Sequence, residues 1–134
     1  MNKEEKIKIA NKELIELGNM DVITETFTAD YVTHNSRKDY EGHSFIKRWS
    51  KQLRIAIPDI RVVKVEFHIQ TNDTIVWQRT LKGKHTAKIW GIIPSGRPVI
   101  WNEMIVSRFD GEKIAEEWVV TELAGELLSK TPIS

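Results

Sequence analysis

The sequence contains no cysteine, which excludes disulfides, thiolate-bound metal centres and cysteine nucleophiles together. Its seven glycines stand singly, so there is no Gly-rich phosphate loop and no nucleotide is expected. Neither sign of charge dominates: 20 Lys and Arg face 19 Asp and Glu, for a net charge of +1. Nucleic acid is therefore not an expected partner. Arg37, Lys38, Lys47, Arg48, Lys51 and Arg54 interleave with Trp49, Leu53 and Ile55 at helical spacing, the pattern of a solvated helix face. Long apolar runs are lacking as well. The opening "MNKEEKIKIANKELIELG" mixes acids and bases and has no apolar signal region, so neither a leader nor a membrane span is expected. A cytoplasmic protein is the expectation, in which the sequon Asn72-Asp73-Thr74 is inert.

What is present fits one domain over residues 1–134, long enough to bury a core without staples. Ile7, Ala10, Leu14 and Leu17 recur at steps of three and four and stop at Gly18, which predicts an amphipathic helix with a left-handed cap. Asp21 is placed to cap a short helix carrying Val22, Ile23 and Phe27, and "TADYVTHN" reads as a loop or short extended piece. Phe45, Trp49, Leu53 and Ile57, followed by Pro58, predict a helix from about Gly42 to Ile57. After Asp59 the period becomes two, the mark of strands. "IRVVKVEFHIQ" assigns Val63, Val65, Phe67 and Ile69 to one face, and "IVWQRTLKGKHTAK" forms a second strand. "VIWNEMIVSRF" carries Trp101, Ile105 and Phe109 on one face and Ile100, Met104 and Val106 on the other, so it must be covered twice. A tight turn at "DGEK" leads into "KIAEEWVVTE", and "LAGELLSK" closes the chain as a short helix or tail. Helices first and long antiparallel strands afterwards give an α+β fold, helices packed on one face of a curved sheet.

Chemically capable residues are few. Of the four histidines, none has a second ligand at metal spacing, so no metal is expected. His43 and His68 read as surface residues, whereas His34 and His85 lie in polar connections between apolar segments and stay open as site candidates. Ser36, Ser44, Ser50, Ser95 and Ser107 lack the context of an activated nucleophile. Carboxylate chemistry remains. Strict alternation from the turn puts Ile114, Glu116, Trp118, Val120 and Glu122 on one face. That face is the more apolar and is expected inward, where Glu122 would have a raised pKa suited to a general base. The alternative is that the strand stops earlier and Glu122 starts the last helix in water.

Four pieces in order, "FTADYVTHN", "AIPDIRV", "GKHTAKIWGIIPSGRPV" and "RFDGEKIAEEWVVTELAGELL", resemble the SnoaL-like polyketide cyclases of the NTF2-like superfamily. The resemblance implies a cone, in which a curved antiparallel sheet wraps a pocket that N-terminal helices close. It also implies a homodimer through the convex sheet face, no cofactor, and a carboxylate as acid/base for an intramolecular aldol closure of a small apolar carbonyl compound. That carboxylate lies four residues after the tryptophan of the last strand, which here is Glu122, where the family's usual residue is Asp. On this reading His34 and His85 orient the substrate or stabilise the enolate, and Trp101 and Trp118 wall the cavity, although both tryptophans would serve equally as core. The competing expectation is a module that binds a small apolar molecule, or dimerises, without catalysis.

Overall fold

The structure, a computed structural model, describes residues 1–35 and 38–130; Ser36 and Arg37 lie outside the described residues. Helix α1 spans Lys3–Ala10, with the side chain of Asn2 accepting the Glu5 N–H at 2.8 Å. It continues as a π-helical segment, Asn11–Glu16. The wider turn changes the phase of the apolar stripe. Ile15 is buried as a result, and Leu17, expected on the stripe, is exposed. Gly18 has the expected left-handed φ of 67°. A short α2 (Val22–Thr26) ends where Phe27 starts β1, so "TADYVTHN" is strand throughout β1 (Phe27–Asn35). Strand β2 (Lys38–Glu41) pairs with it.

Helix α3 (His43–Ala56) follows the expected spacing and stops before Pro58. It buries Ile46, Ser50, Leu53 and Ala56, and the Ser50 hydroxyl donates to the Leu14 carbonyl at 3.1 Å. Removing a fully packed side chain from this face, as in Leu53→Ala, costs on the order of 2–5 kcal/mol. His43 is half-buried and not a free surface residue, since its Nε2–H reaches the Thr28 carbonyl at 2.8 Å and ties α3 to β1.

The remaining strands are β3 (Arg61–Gln70), β4 (Thr74–Lys84), β5 (Pro98–Asp110) and β6 (Lys113–Thr121), before α4 (Leu123–Lys130). With β1 and β2 these four strands form one curved six-stranded sheet in the order β2-β1-β6-β5-β4-β3. All neighbours are antiparallel except β1 and β6, which run parallel. Register shifts near Val63 and His68 break the alternation expected for β3. Val65 and Phe67 pack on the core, and Val63 and Ile69 are exposed.

One irregularity decides the site. Phe109 of β5 pairs with Ile114 of β6, and the next residue, Arg108, pairs with Glu116. Ala115 is therefore an extra residue, a bulge that leaves Ile114 and Ala115 both buried. Beyond it the two faces exchange, because the side-chain period is two and one inserted residue inverts it. Glu117, Val119 and Thr121 line the concave side, and Glu116, Trp118 and Val120 point outward.

Two apolar clusters fill the space between the concave face and the helices. One gathers Ile7, Leu14, Ile46, Trp77, Ile105 and Phe109; the other gathers Leu53, Ile57, Leu81, Trp101 and Leu127. Among the described residues, no helix is long and apolar enough to cross a membrane.

Candidate active site

A cavity of about 730 Å³ lies between the concave face, α1, α3 and the start of α4. Its wall is largely apolar, with Leu14, Ile46, Trp49, Trp77 and Ile114 among the lining residues. A cavity of this size takes a ligand of several rings. Five charged side chains also line it: Lys38, Arg48, Arg79, Glu103 and Glu117.

Glu117 comes from β6, opposite Ser107 of β5 and Thr33 of β1. Tyr31 donates its hydroxyl to Oε1 at 2.7 Å, and Ser107 donates to Oε2 at 2.5 Å. Ser107 in turn accepts the indole N–H of Trp77 at 2.9 Å, which directs the serine proton towards the carboxylate. Burial raises the Glu117 pKa against the opposing pull of these hydroxyls and of Arg79. Tyr31 is held well above its ordinary value, first by burial and then by the neighbouring carboxylate, so it stays a donor.

The second inner carboxylate is used differently. Oε1 of Glu103 takes Nε and Nη2 of Arg79, both at 2.7 Å, and Oε2 accepts from Thr121 at 2.6 Å and from the Trp101 indole at 3.2 Å. A carboxylate with four donors has its lone pairs taken by the protein and is held in one orientation. Arg79 also donates Nη1 to Asn11 Oδ1 at 3.0 Å and lies near the rings of Trp49 and Trp77 at 5.5 and 5.4 Å. Asn11 is the first residue of the π-helical segment, so the widened turn supplies a polar group to the cavity wall. The guanidinium has five N–H donors, of which these contacts use three. Two remain for a ligand. Among the described residues, no three His, Asp or Glu side chains gather to hold a metal ion.

The family model for the SnoaL-like polyketide cyclases matches residues 6–128. The chain belongs to that family. No curated protein is significantly similar to it. Solved structures share the fold. The protein described as a SnoaL-like polyketide cyclase from Jannaschia sp. CCS1 is 21% identical with a TM-score of 0.81, over 98% of this chain and 93% of that one. A protein described as a polyketide cyclase from Acidithiobacillus ferrooxidans is 20% identical with a TM-score of 0.81, over 95% and 92%. An NTF2-like protein from Anabaena variabilis is 11% identical with a TM-score of 0.71, over 88% and 84%.

In this SnoaL-like chain the residues singled out from the sequence do not converge on the cavity. Glu122 lies after the end of β6 and is exposed; its Oε1 accepts the Asn102 backbone N–H at 2.8 Å. The bulge at Ala115 reverses the alternation that pointed it inward. Trp118 turns outward for the same reason, 41% exposed. His34 sits beside it in the parallel β1–β6 register, its ring stacked on the indole at 5.1 Å between centroids. These two are together, on the outer face. The His34 Nδ1 is 2.6 Å from Asp39 and Nε2 is 2.7 Å from Glu116, which Arg108 also holds at 3.0 Å. An imidazole donates from both nitrogens only as the cation. The Glu116 and Asp39 hydrogen bonds accordingly raise its pKa.

Trp101 is buried in the second cluster and reaches the site only through its N–H to Glu103. His85 is fully buried outside the lining, with neither ring nitrogen hydrogen-bonded among the described residues. Glu117, Glu103, Tyr31 and Arg79 were passed over in the sequence reading, and of these strict alternation put Glu117 alone on the wrong face. The adjacent apolar pair Ile114-Ala115 before two glutamates was the available signal of a bulge.

Proposed function

We propose that this SnoaL-like chain catalyses acid/base chemistry at a carbon next to a carbonyl, of the aldol-cyclase type, on an apolar ring-forming substrate, with no cofactor. Glu117 replaces Glu122 as the proton-transferring group. The observation that carries the reading is a carboxyl group inside an apolar cavity, with its pKa raised by burial and both oxygens oriented by hydroxyls. Such a group accepts a proton from carbon more readily than an ordinary glutamate near neutral pH. The two free N–H donors of Arg79 would meet the enolate oxygen as charge develops there. Double-bond isomerisation in the same cavity would use the same parts.

The test is deuterium wash-in at the carbon next to the carbonyl of 2-tetralone in D2O, followed by NMR. The reading expects exchange well above the buffer rate, lost in Glu117→Gln and partly kept in Glu117→Asp. Exchange undiminished by Glu117→Gln would defeat it. One observation favours the rival reading of a binding module: both Glu117 oxygens already accept hydrogen bonds from protein hydroxyls. On that reading, 2-tetralone binds with no exchange.

A homodimer through the convex face is part of the proposal. Ile100, Met104, Trp118 and Val120 are 56%, 41%, 41% and 73% exposed there, an apolar patch costly to leave in water. Val120→Lys should then shift sedimentation from dimer to monomer.

A further inference from the structure

The buried charges of the cavity lining balance and the exposed ones do not. Arg79 and Glu103 cancel as a buried pair, and burial favours the uncharged form of Glu117. What remains is Lys38 and Arg48, both exposed. Among the described residues neither pairs with a carboxylate. Two exposed, unmatched cations in the lining of one cavity are notable in a chain whose net charge is only +1.

Their placement is organised. Lys38 opens β2, and its ammonium sits over the Tyr40 ring at 5.3 Å from the centroid. Tyr40 stacks on Phe45 at 4.2 Å. Phe45 and Arg48 are three apart on α3, so they share a helix face. The result is a band of cation, two stacked rings and cation, all lining the cavity.

We infer that the ligand of this cavity is a flat apolar molecule bearing a free carboxylate, its body among the aromatic side chains of the wall and its carboxylate on the cationic band that carries Lys38 at one end and Arg48 at the other. The inference rests on the cavity being the ligand site, as proposed above. An ester of the same molecule would leave both cations with water and gain nothing from them. A carboxylate on that band gains a modest amount from the partly solvated cation it meets and less from the more distant one. The charge also fixes the orientation, because only one end of the ligand matches the cationic band.

The test titrates 6-carboxy-2-tetralone against its methyl ester by quenching of tryptophan fluorescence, since Trp49 and Trp77 line the cavity. The acid should bind about five- to tenfold more tightly. In Lys38→Met/Arg48→Met the preference should fall to within about twofold of parity, and Arg48→Glu should favour the ester. Equal binding of acid and ester to the unmodified protein would overturn the inference. So would a preference that survives the double substitution. Binding is read here without proton exchange, so the two proposals fail separately. A preference for the acid with no wash-in would sink the catalytic reading alone, and equal binding with full wash-in would sink this one alone.

Discussion

Glu116 and Glu117 are neighbours in one strand and are held in opposite states. Glu116 faces outward, where the hydrogen bond from His34 and then that from Arg108 lower its pKa. Glu117 faces the cavity, where burial raises it. The covalent group is the same in both. What differs is the available partner: two cationic donors outside, two neutral hydroxyls in an apolar wall inside. Two adjacent carboxyl groups are thus pushed to opposite sides of the ordinary value by their surroundings, on opposite faces of one strand. Here the pushing is done by the orientation of the strand alone, and the orientation by one extra residue.

The largest effect expected on this contrast comes from the other inner carboxylate. Glu103 is buried and ion-paired with Arg79 at 2.7 Å. Arg79→Met should leave an uncompensated buried charge and cost on the order of 3–5 kcal/mol in urea unfolding. Arg79→Met/Glu103→Met removes both charges and should recover most of that loss. If the single variant loses less than about 1 kcal/mol, the pair is not what permits a carboxylate there.

Next in size is the inner glutamate. Glu117→Gln should lower turnover of any substrate by roughly a hundredfold or more, with binding retained. Glu116→Gln and Glu122→Gln should stay within about twofold of the parent protein, because neither lines the cavity. The same variant carries a pH signature. A glutamate whose folded pKa is raised above the ordinary 4.5 stabilises the fold fully below 4.5, and that contribution is lost as pH rises through the folded value. The parent should therefore lose stability relative to Glu117→Gln with rising pH. A constant difference between the two unfolding curves over that range would show that Glu117 titrates normally.

How much of this was legible in the sequence follows from the range of each signal. Helix α3 was readable because four apolar residues at steps of four and a following proline are local facts. The outer apolar face of β5 was readable for the same reason, and His34 was marked out as a site candidate, which the structure places on the outer face beside Trp118. The inward carboxylate was not readable from strict alternation. A period of two carries no record of a bulge, and the bulge at Ala115 depends on how β6 pairs with β5. The parallel pairing of β1 with β6 joins residues more than eighty positions apart, and it brings His34 to Trp118 and Tyr31 to Glu117. Arg79 was hidden in another way. Its partners Glu103 and Asn11 lie on a neighbouring strand and on a helix whose π-helical turn no propensity announces.

The smallest effect belongs to the outer glutamate, where the contrast is completed. His34 has a pKa raised above 6.5, so its contribution is full below 6.5 and is lost as pH rises through the folded value. Glu116 is lowered from 4.5, so its contribution is full above 4.5 and is lost as pH falls through the folded value. Both are present together between 4.5 and 6.5, and the pair should stabilise most in that window. Each side chain is about a quarter exposed, 28% for His34 and 25% for Glu116, so solvent screens the pair and the gain should stay within about 1 kcal/mol. His34→Gln keeps one donor but removes the charge. The stability difference between parent and variant should be greatest in the window and shrink on the alkaline side. A difference independent of pH would mean that His34 contributes only its stacking on Trp118, and that the outward face of β6 selects no charge state at all.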